Sequence, residues 1–299
     1  MSNETTLSVD AFDKRFPTEE SCREALRDAR WPNGVECPKC GKQEKVYALK
    51  SKPFYWLCKN CKSYRFSVIS GTIFENTKKP LKMWFKVAYL MLVAKKGRSA
   101  LEIHRTMYGD PFTADYHTTW YMCTRLRAAM RNQSWTQLMG EVEVDETYIG
   151  GANRNRHASQ KKKGKGTANK VAVIGAIARK GNVVCQMIEN ADTETLTKFV
   201  RKTVDSRVDL LATDEHSGYR YLKWAPYPHE AIAHSQGEYV RGKVHTQTIE
   251  SFWSLLKRGI MGSYHKVSAR YLPLYLAEFT FRYNNRKNPD MFGELLSRC

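Results

Sequence analysis

Two cysteine pairs constrain this chain more than any other feature. Cys37 and Cys40 form one C-x2-C, Cys58 and Cys61 form a second, and 17 residues separate them. A C-x2-C turn points two thiolates at one place. Two such turns complete an all-sulfur tetrahedral shell for one structural Zn2+, with Zn–S bonds of about 2.3 Å. The stretches Val46–Leu49 and Phe54–Leu57 read as short strands with turn residues between them. A module this small lacks the core to fold alone, so a metal has a physical role in it. Residues 35–68 are assigned to this ribbon, after a helical lead-in over 1–34. The spacing leaves open whether such a ribbon touches DNA, RNA or protein. Cys22, Cys123, Cys185 and Cys299 are scattered and read as free thiols in packed or terminal positions.

The charge balance points to a polyanion. The 299 residues carry 49 Lys plus Arg against 30 Asp plus Glu, a net charge of +19. Phosphates neutralised by such an excess release condensed counterions. The longest apolar run, Val87–Ala94, is far shorter than a membrane span and flanked by lysines. The polar, acidic N-terminus shows no secretory signal. A cytoplasmic protein without membrane contact is expected.

In the lead-in, Phe12, Phe16, Cys22 and Leu26 supply an apolar side, and Thr18 after Pro17 is a plausible helix cap. Residues 69–138 read as a helical, helix-turn-helix-like DNA-binding region. Leu81, Trp84, Phe85, Ala88, Tyr89 and Leu92 recur at helical spacing after Pro80. Lys95-Lys96-Gly97 breaks that helix, and Ser99 with Glu102 matches a capping box opening a second. A third helix runs from about Ala114 to Asn132. Lys95, Lys96, Arg98, Arg125, Arg127 and Arg131 are its region's candidate DNA contacts, Arg127 and Arg131 sharing one face. An ordinary helical linker would show much of the same pattern.

Beyond Gly140 strands precede helices. Val142–Ile149 is a strand, and residues 153–170 are a polar loop whose Lys161, Lys162, Lys163 and Lys165 are candidate backbone contacts. Val171–Ala178 and Val183–Ile188 form a hairpin, and a helix begins near Thr193. Val208–Thr213 and Ala231–His234 are further strands, Thr248–Arg258 a helix, and a last helix follows Pro273. Three strands, helix, strand, strand, helix is the order of the RNase H-like α/β fold. The predicted class is therefore multi-domain α/β, a mixed sheet with helices over 139–299.

Three carboxylates stand where that fold would gather them. Alternation puts Glu143, Asp145 and Thr147 on one face of the first strand, and Val142, Val144 and Glu146 on the other. A carboxylate in a sheet is costly unless paired, hydrogen-bonded or bound to metal. Asp214 follows the buried run Leu210–Thr213, and Glu250 lies on the late helix with Lys257 two turns on. Converging carboxylates repel and call for hard divalent cations, Mg2+ or Mn2+. Singly, each has an ordinary structural explanation: a paired strand residue, a turn cap, a solvated helix residue.

The motifs Glu143–Gly151 (EVDETYIGG), Thr213–Tyr219 (TDEHSGY) and His245–Gly259 (HTQTIESFWSLLKRG) resemble those of bacterial insertion-sequence transposases of the DDE type. The likeness is to the group with an N-terminal zinc ribbon and an ISXO-like catalytic domain. Gly71–Leu81 (GTIFENTKKPL) and Glu278–Arg286 (EFTFRYNNR) belong to the same resemblance, which spans nearly the whole chain in order. It implies an RNase H-like core with catalytic and metal-binding residues Asp145, Asp214 and Glu250, two Mg2+ or Mn2+ ions per site, and Lys257 and His245 holding phosphates. Related elements often show Asn shortly before the third acid, where Gln247 stands here. The implied activity is cleavage at terminal inverted repeats and strand transfer to target DNA, by a dimer or larger assembly associated with the nucleoid when bound. An RNase H-like nuclease that does not join, and a domesticated DNA-binding protein, are the alternatives.

Overall fold

The computed structural model describes residues 8–109, 115–131, 136–151 and 170–299. It resolves into two units, residues 1–130 with 285–299, and residues 131–284. Lys161, Lys162, Lys163 and Lys165 lie outside the described residues.

In the first unit, local signals start the helices. Helices α1 (Val9–Arg15) and α2 (Glu19–Arg30) are capped by Ser8 and Thr18, the latter in a reciprocal box with Ser21. Helix α3 (Leu81–Leu92) has no side-chain cap of its own beside Pro80. Instead the Glu19 carboxylate accepts from the backbone of Leu81 and Lys82 at 3.0 Å each. Helix α4 (Ala100–Tyr108) is capped by Ser99, but Glu102 turns to Arg98 at 3.0 Å, so only half of the expected box forms. Helix α5 spans Tyr116–Ala129.

The ribbon is a three-stranded antiparallel sheet, β1 (Val46–Ala48), β2 (Tyr55–Cys58) and β3 (Tyr64–Ser67). Strand β3, which the sequence reading did not separate out, pairs Phe66 with Trp56. These rings and Trp31 form a small aromatic core, with Trp31 and Trp56 5.3 Å apart.

Residues 285–299, expected to extend the catalytic region, fold with the first unit. Their helix α9 (Met291–Ser297) buries Phe292 among Phe12, Phe16 and Phe85, at centroid distances of 5.6, 5.2 and 5.3 Å. That apolar cluster outweighs chain proximity.

The second unit is built on a mixed five-stranded sheet in the order β6-β5-β4-β7-β8. Its strands are β4 (Glu141–Ile149), β5 (Val171–Ala178), β6 (Val183–Ile188), β7 (Leu210–Asp214) and β8 (His229–Ile232). The first three run antiparallel, while β7 lies parallel to both β4 and β8. Helix α6 (Thr193–Thr203) and a 3₁₀ segment (Ser217–Trp224) cover one face, burying Leu196, Phe199 and Leu222 against Val142, Val144 and Leu211. Helices α7 (Gln247–Gly259) and α8 (Leu272–Asn284) cover the other, where Ile249, Phe252 and Trp253 meet Val173 and Ile177. No helix among the described residues is long and apolar enough to cross a membrane.

Gly175 decides how closely α7 approaches. It sits opposite Asp145 in the β4–β5 register. A Cβ there would fall 2.7 Å from the Trp253 ring and 3.2 Å from the Cys185 sulfur. Gly175→Ala is therefore expected to destabilise the second unit by about 1–3 kcal/mol through overpacking. Thermal or urea unfolding of the variant checks this; an unchanged midpoint would mean the indole has room to move.

Candidate active site

The β4–β7 register builds the centre of the site. Glu143 pairs with Ala212 in parallel, and continuing that register two residues brings Asp145 level with Asp214, the last residue of β7. Carboxylate oxygens of Asp145, Glu146 and Asp214 come within 4.8 Å of one another. The sequence reading put Glu146 on the opposite face and left it out. It does lean to that side, where the Tyr219 hydroxyl donates to it at 2.8 Å. Strand β7 ends at Asp214, however, and from mid-strand on β4 the Glu146 carboxylate still reaches the other two.

Each acid has a fixed partner. The Trp253 indole N–H donates to Asp145 at 3.0 Å, and Asp214 accepts from the His216 backbone at 3.0 Å. Burial, with Asp214 and Glu146 close by, pushes the Asp145 carboxyl up to about 7. Burial and Asp214 likewise raise Glu146.

Glu250 stands apart from this cluster. Its side chain is 50% exposed and accepts from the Thr246 hydroxyl at 2.7 Å, with His234 3.6 Å away. It nevertheless lines the same cavity of about 740 Å3 as Asp145, Glu146, Trp253, Lys257 and Arg258. Sequence spacing alone did not reveal this division: Thr246 lies one turn before Glu250 in the same motif, but His234 comes from a separate 3₁₀ segment, His234–Gln236.

A buried carboxylate positions α7. Glu143 is fully buried and accepts from the backbone of Thr248 and Ile249, the Thr248 hydroxyl and the Arg179 guanidinium, all at 2.7–2.9 Å. A carboxylate at a helix N-terminus satisfies orphan N–H groups and opposes the helix dipole. His245, expected to hold phosphate, turns its Nδ1 toward Glu143 at 3.2 Å.

The donor set at the acidic cluster is all oxygen and fits a hard divalent cation such as Mg2+ or Mn2+. The four ribbon cysteines fit Zn2+. Their sulfurs lie within 4.8 Å of one another, with Cys37–Cys61 at 4.0 Å and Cys40–Cys58 at 3.8 Å. A tetrahedron of thiolates at the usual Zn–S distance has edges of about 3.8 Å.

The candidate DNA contacts divide. Lys95, Lys96 and Arg131 are exposed. Arg98 pairs with Glu102, and Arg125 donates to the carbonyls of Ile73 and Thr72. Arg127 is 1% exposed, and α5 ends at Ala129, short of the expected Asn132, so Arg131 lies beyond the helix and the expected shared face does not form.

The family described as ISXO2-like transposase domain matches residues 137–284, and that described as transposase zinc-ribbon domain matches residues 17–63. An uncharacterized protein in transposable element ISH50 of Halobacterium salinarum is 26% identical over 282 residues, covering 90% of this chain and 92% of its own length.

Two measurements follow from the geometry. Purified protein is expected to hold about one zinc per chain and to lose it in Cys40→Ser, with a lower melting temperature; metal-free protein of unchanged stability would contradict the ribbon geometry. For Asp145, the folded value near 7 lies above the ordinary 3.8. Its contribution is therefore complete near pH 4 and lost as pH rises through 7. Without divalent metal at pH 8, Asp145→Asn should melt roughly 2–6 °C above the parent, the gap closing toward pH 5. Mn2+ should stabilise the parent and not the variant.

Proposed function

The chain belongs to the ISXO2-like transposases that carry a zinc ribbon, and from that premise we propose that it cuts and joins DNA through Asp145, Asp214 and Glu250. The convergence of Asp145 and Glu146, mid-strand on β4, with Asp214 at the carboxyl end of β7 carries this reading. Open α/β sheets gather ligand sites at the carboxyl ends of their strands. The mixed sheet, with acids on its first and fourth strands and on a late helix, supports an RNase H-like core.

Two Mg2+ or Mn2+ ions at such a site stabilise the attacking and leaving oxygens of an in-line displacement at phosphorus. Asp145 and Asp214 would hold the ions, with Glu250 supplying a further carboxylate from α7. Glu146, held by Tyr219, is a fourth carboxylate that tightens the cluster. Lys257, on the cavity wall, holds a phosphate oxygen. The scissile phosphodiester at the element's end is hydrolysed to leave a 3′-OH, which then attacks a target phosphodiester and displaces its own 3′ oxygen. Water supplies the first nucleophile and the element's end the second, so one site serves both steps.

The ribbon and the α3–α4 turn with Lys95 and Lys96 grip terminal repeats, and α3–α5 serve as a helix-turn-helix-like reader without Arg127. An element has two ends, so a dimer or larger synaptic complex is the working unit.

Strand cleavage and joining on an oligonucleotide carrying the element's end test this. Asp145→Ala and Glu250→Gln should lower both by roughly 10³-fold or more, with end binding kept within a few-fold. Glu146→Gln should cost roughly ten-fold, as supporting residues of metal sites do. Undiminished cleavage in Asp145→Ala would overturn the site assignment, and cleavage without joining would favour a nuclease.

A further inference from the structure

We propose that the outer face of the 3₁₀ segment Ser217–Trp224 binds an unpaired nucleotide of DNA, its base on Tyr221 and Trp224 and its phosphates on Arg220 and Lys223. The inference rests on reading the neighbouring site as a phosphoryl-transfer centre.

A 3₁₀ helix has three residues per turn, so side chains at i and i+3 eclipse. In this segment, SGYRYLKW, that periodicity sorts the side chains into three rows. Tyr219 and Leu222 form the inner row, 1% and 0% exposed. Arg220 and Lys223 form an exposed basic row. Tyr221 and Trp224 form an exposed aromatic row, 63% and 77% exposed. Their rings stand 5.7 Å apart at 66°, a corner in which a flat group lying on one ring meets the edge of the other.

A cationic row beside an aromatic row matches one nucleotide: phosphate on one side, base on the other. The segment holds no Asp or Glu, so nothing within it repels a polyanion. Bases within an intact duplex are already stacked on both sides, and this corner has nothing to grip there. It requires a base that is unpaired or turned out of the stack.

The platform is also tied to the acidic cluster. The segment starts three residues after Asp214, whose carboxylate takes the His216 backbone N–H. Its inner row ends on the cluster itself, through the Tyr219 hydroxyl to Glu146. Tyr221 is two residues from Tyr219, so their Cα atoms are at most about 7.6 Å apart. The platform and the acidic cluster are thus joined through one short segment of backbone and the Tyr219 side chain.

The test uses the full chain and a duplex with one unpaired 2-aminopurine nucleotide at its end, beside a blunt duplex of the same sequence. Stacking on the platform quenches the probe. The parent protein should quench it several-fold, and Trp224→Ala and Tyr221→Ala should each abolish most of that quenching. Both variants should bind the tailed duplex roughly ten-fold more weakly and the blunt duplex within two-fold of the parent, while Trp224→Phe retains quenching. Equal losses on both duplexes, or no loss, would overturn the proposal; a face that binds protein would give the latter. Asp145→Ala should quench like the parent. If the parent itself cleaves no DNA, the functional reading fails, and the quenching pattern still decides the platform.

Discussion

The second unit depends on one buried carboxylate. Glu143 points from the central strand β4 into the start of α7 and takes two backbone N–H groups, a hydroxyl and a guanidinium. A buried charge is tolerable only when its lone pairs are filled in this way. The arrangement fixes where α7 begins on the sheet. Because a helix turns 100° per residue, fixing its start also fixes the faces of Glu250, Trp253 and Lys257. The register of β4 and the aim of the cavity wall are thus set by the same side chain.

Two residues further along β4, the same alternation that buries Glu143 presents Asp145. Here the packing serves the opposite purpose. Gly175 admits the Trp253 ring close to the sheet, and its indole N–H meets Asp145. Asp145 is thereby held in a partly dry place beside two other acids, which raises its carboxyl toward 7. Such repulsion destabilises the bare protein, and an all-oxygen donor set of this kind fits a hard divalent cation.

Much of this was legible in residue spacing. The two C-x2-C pairs announce the ribbon, Thr18 and Ser99 cap their helices, and the succession of strands and helices along the second unit follows from short apolar runs. What escaped was non-local. Glu146 was set aside because alternation put it across the sheet from Asp145, yet both carboxylates meet Asp214 where β7 ends. Arg127 and Arg131 would share a face had the helix run on to Asn132, but α5 stops at Ala129 and Arg127 is buried. Helix α9 follows residues 131–284 in sequence but folds with the first unit, because Phe292 finds its apolar partners near the start of the chain.

The amino-acid sequence by itself determined most of the secondary elements, the paired ribbon cysteines and the family, since these rest on local periodicity and on short motifs. Only the tertiary structure decided which carboxylates converge, how Glu250 is held apart by Thr246 and His234, and which cations remain exposed. The reason is physical: periodicity sets the direction of a side chain relative to its own strand or helix. Distances between side chains depend on how separate elements register, and that register is set by buried partners such as Glu143 and Gly175, far apart in sequence from the residues they place.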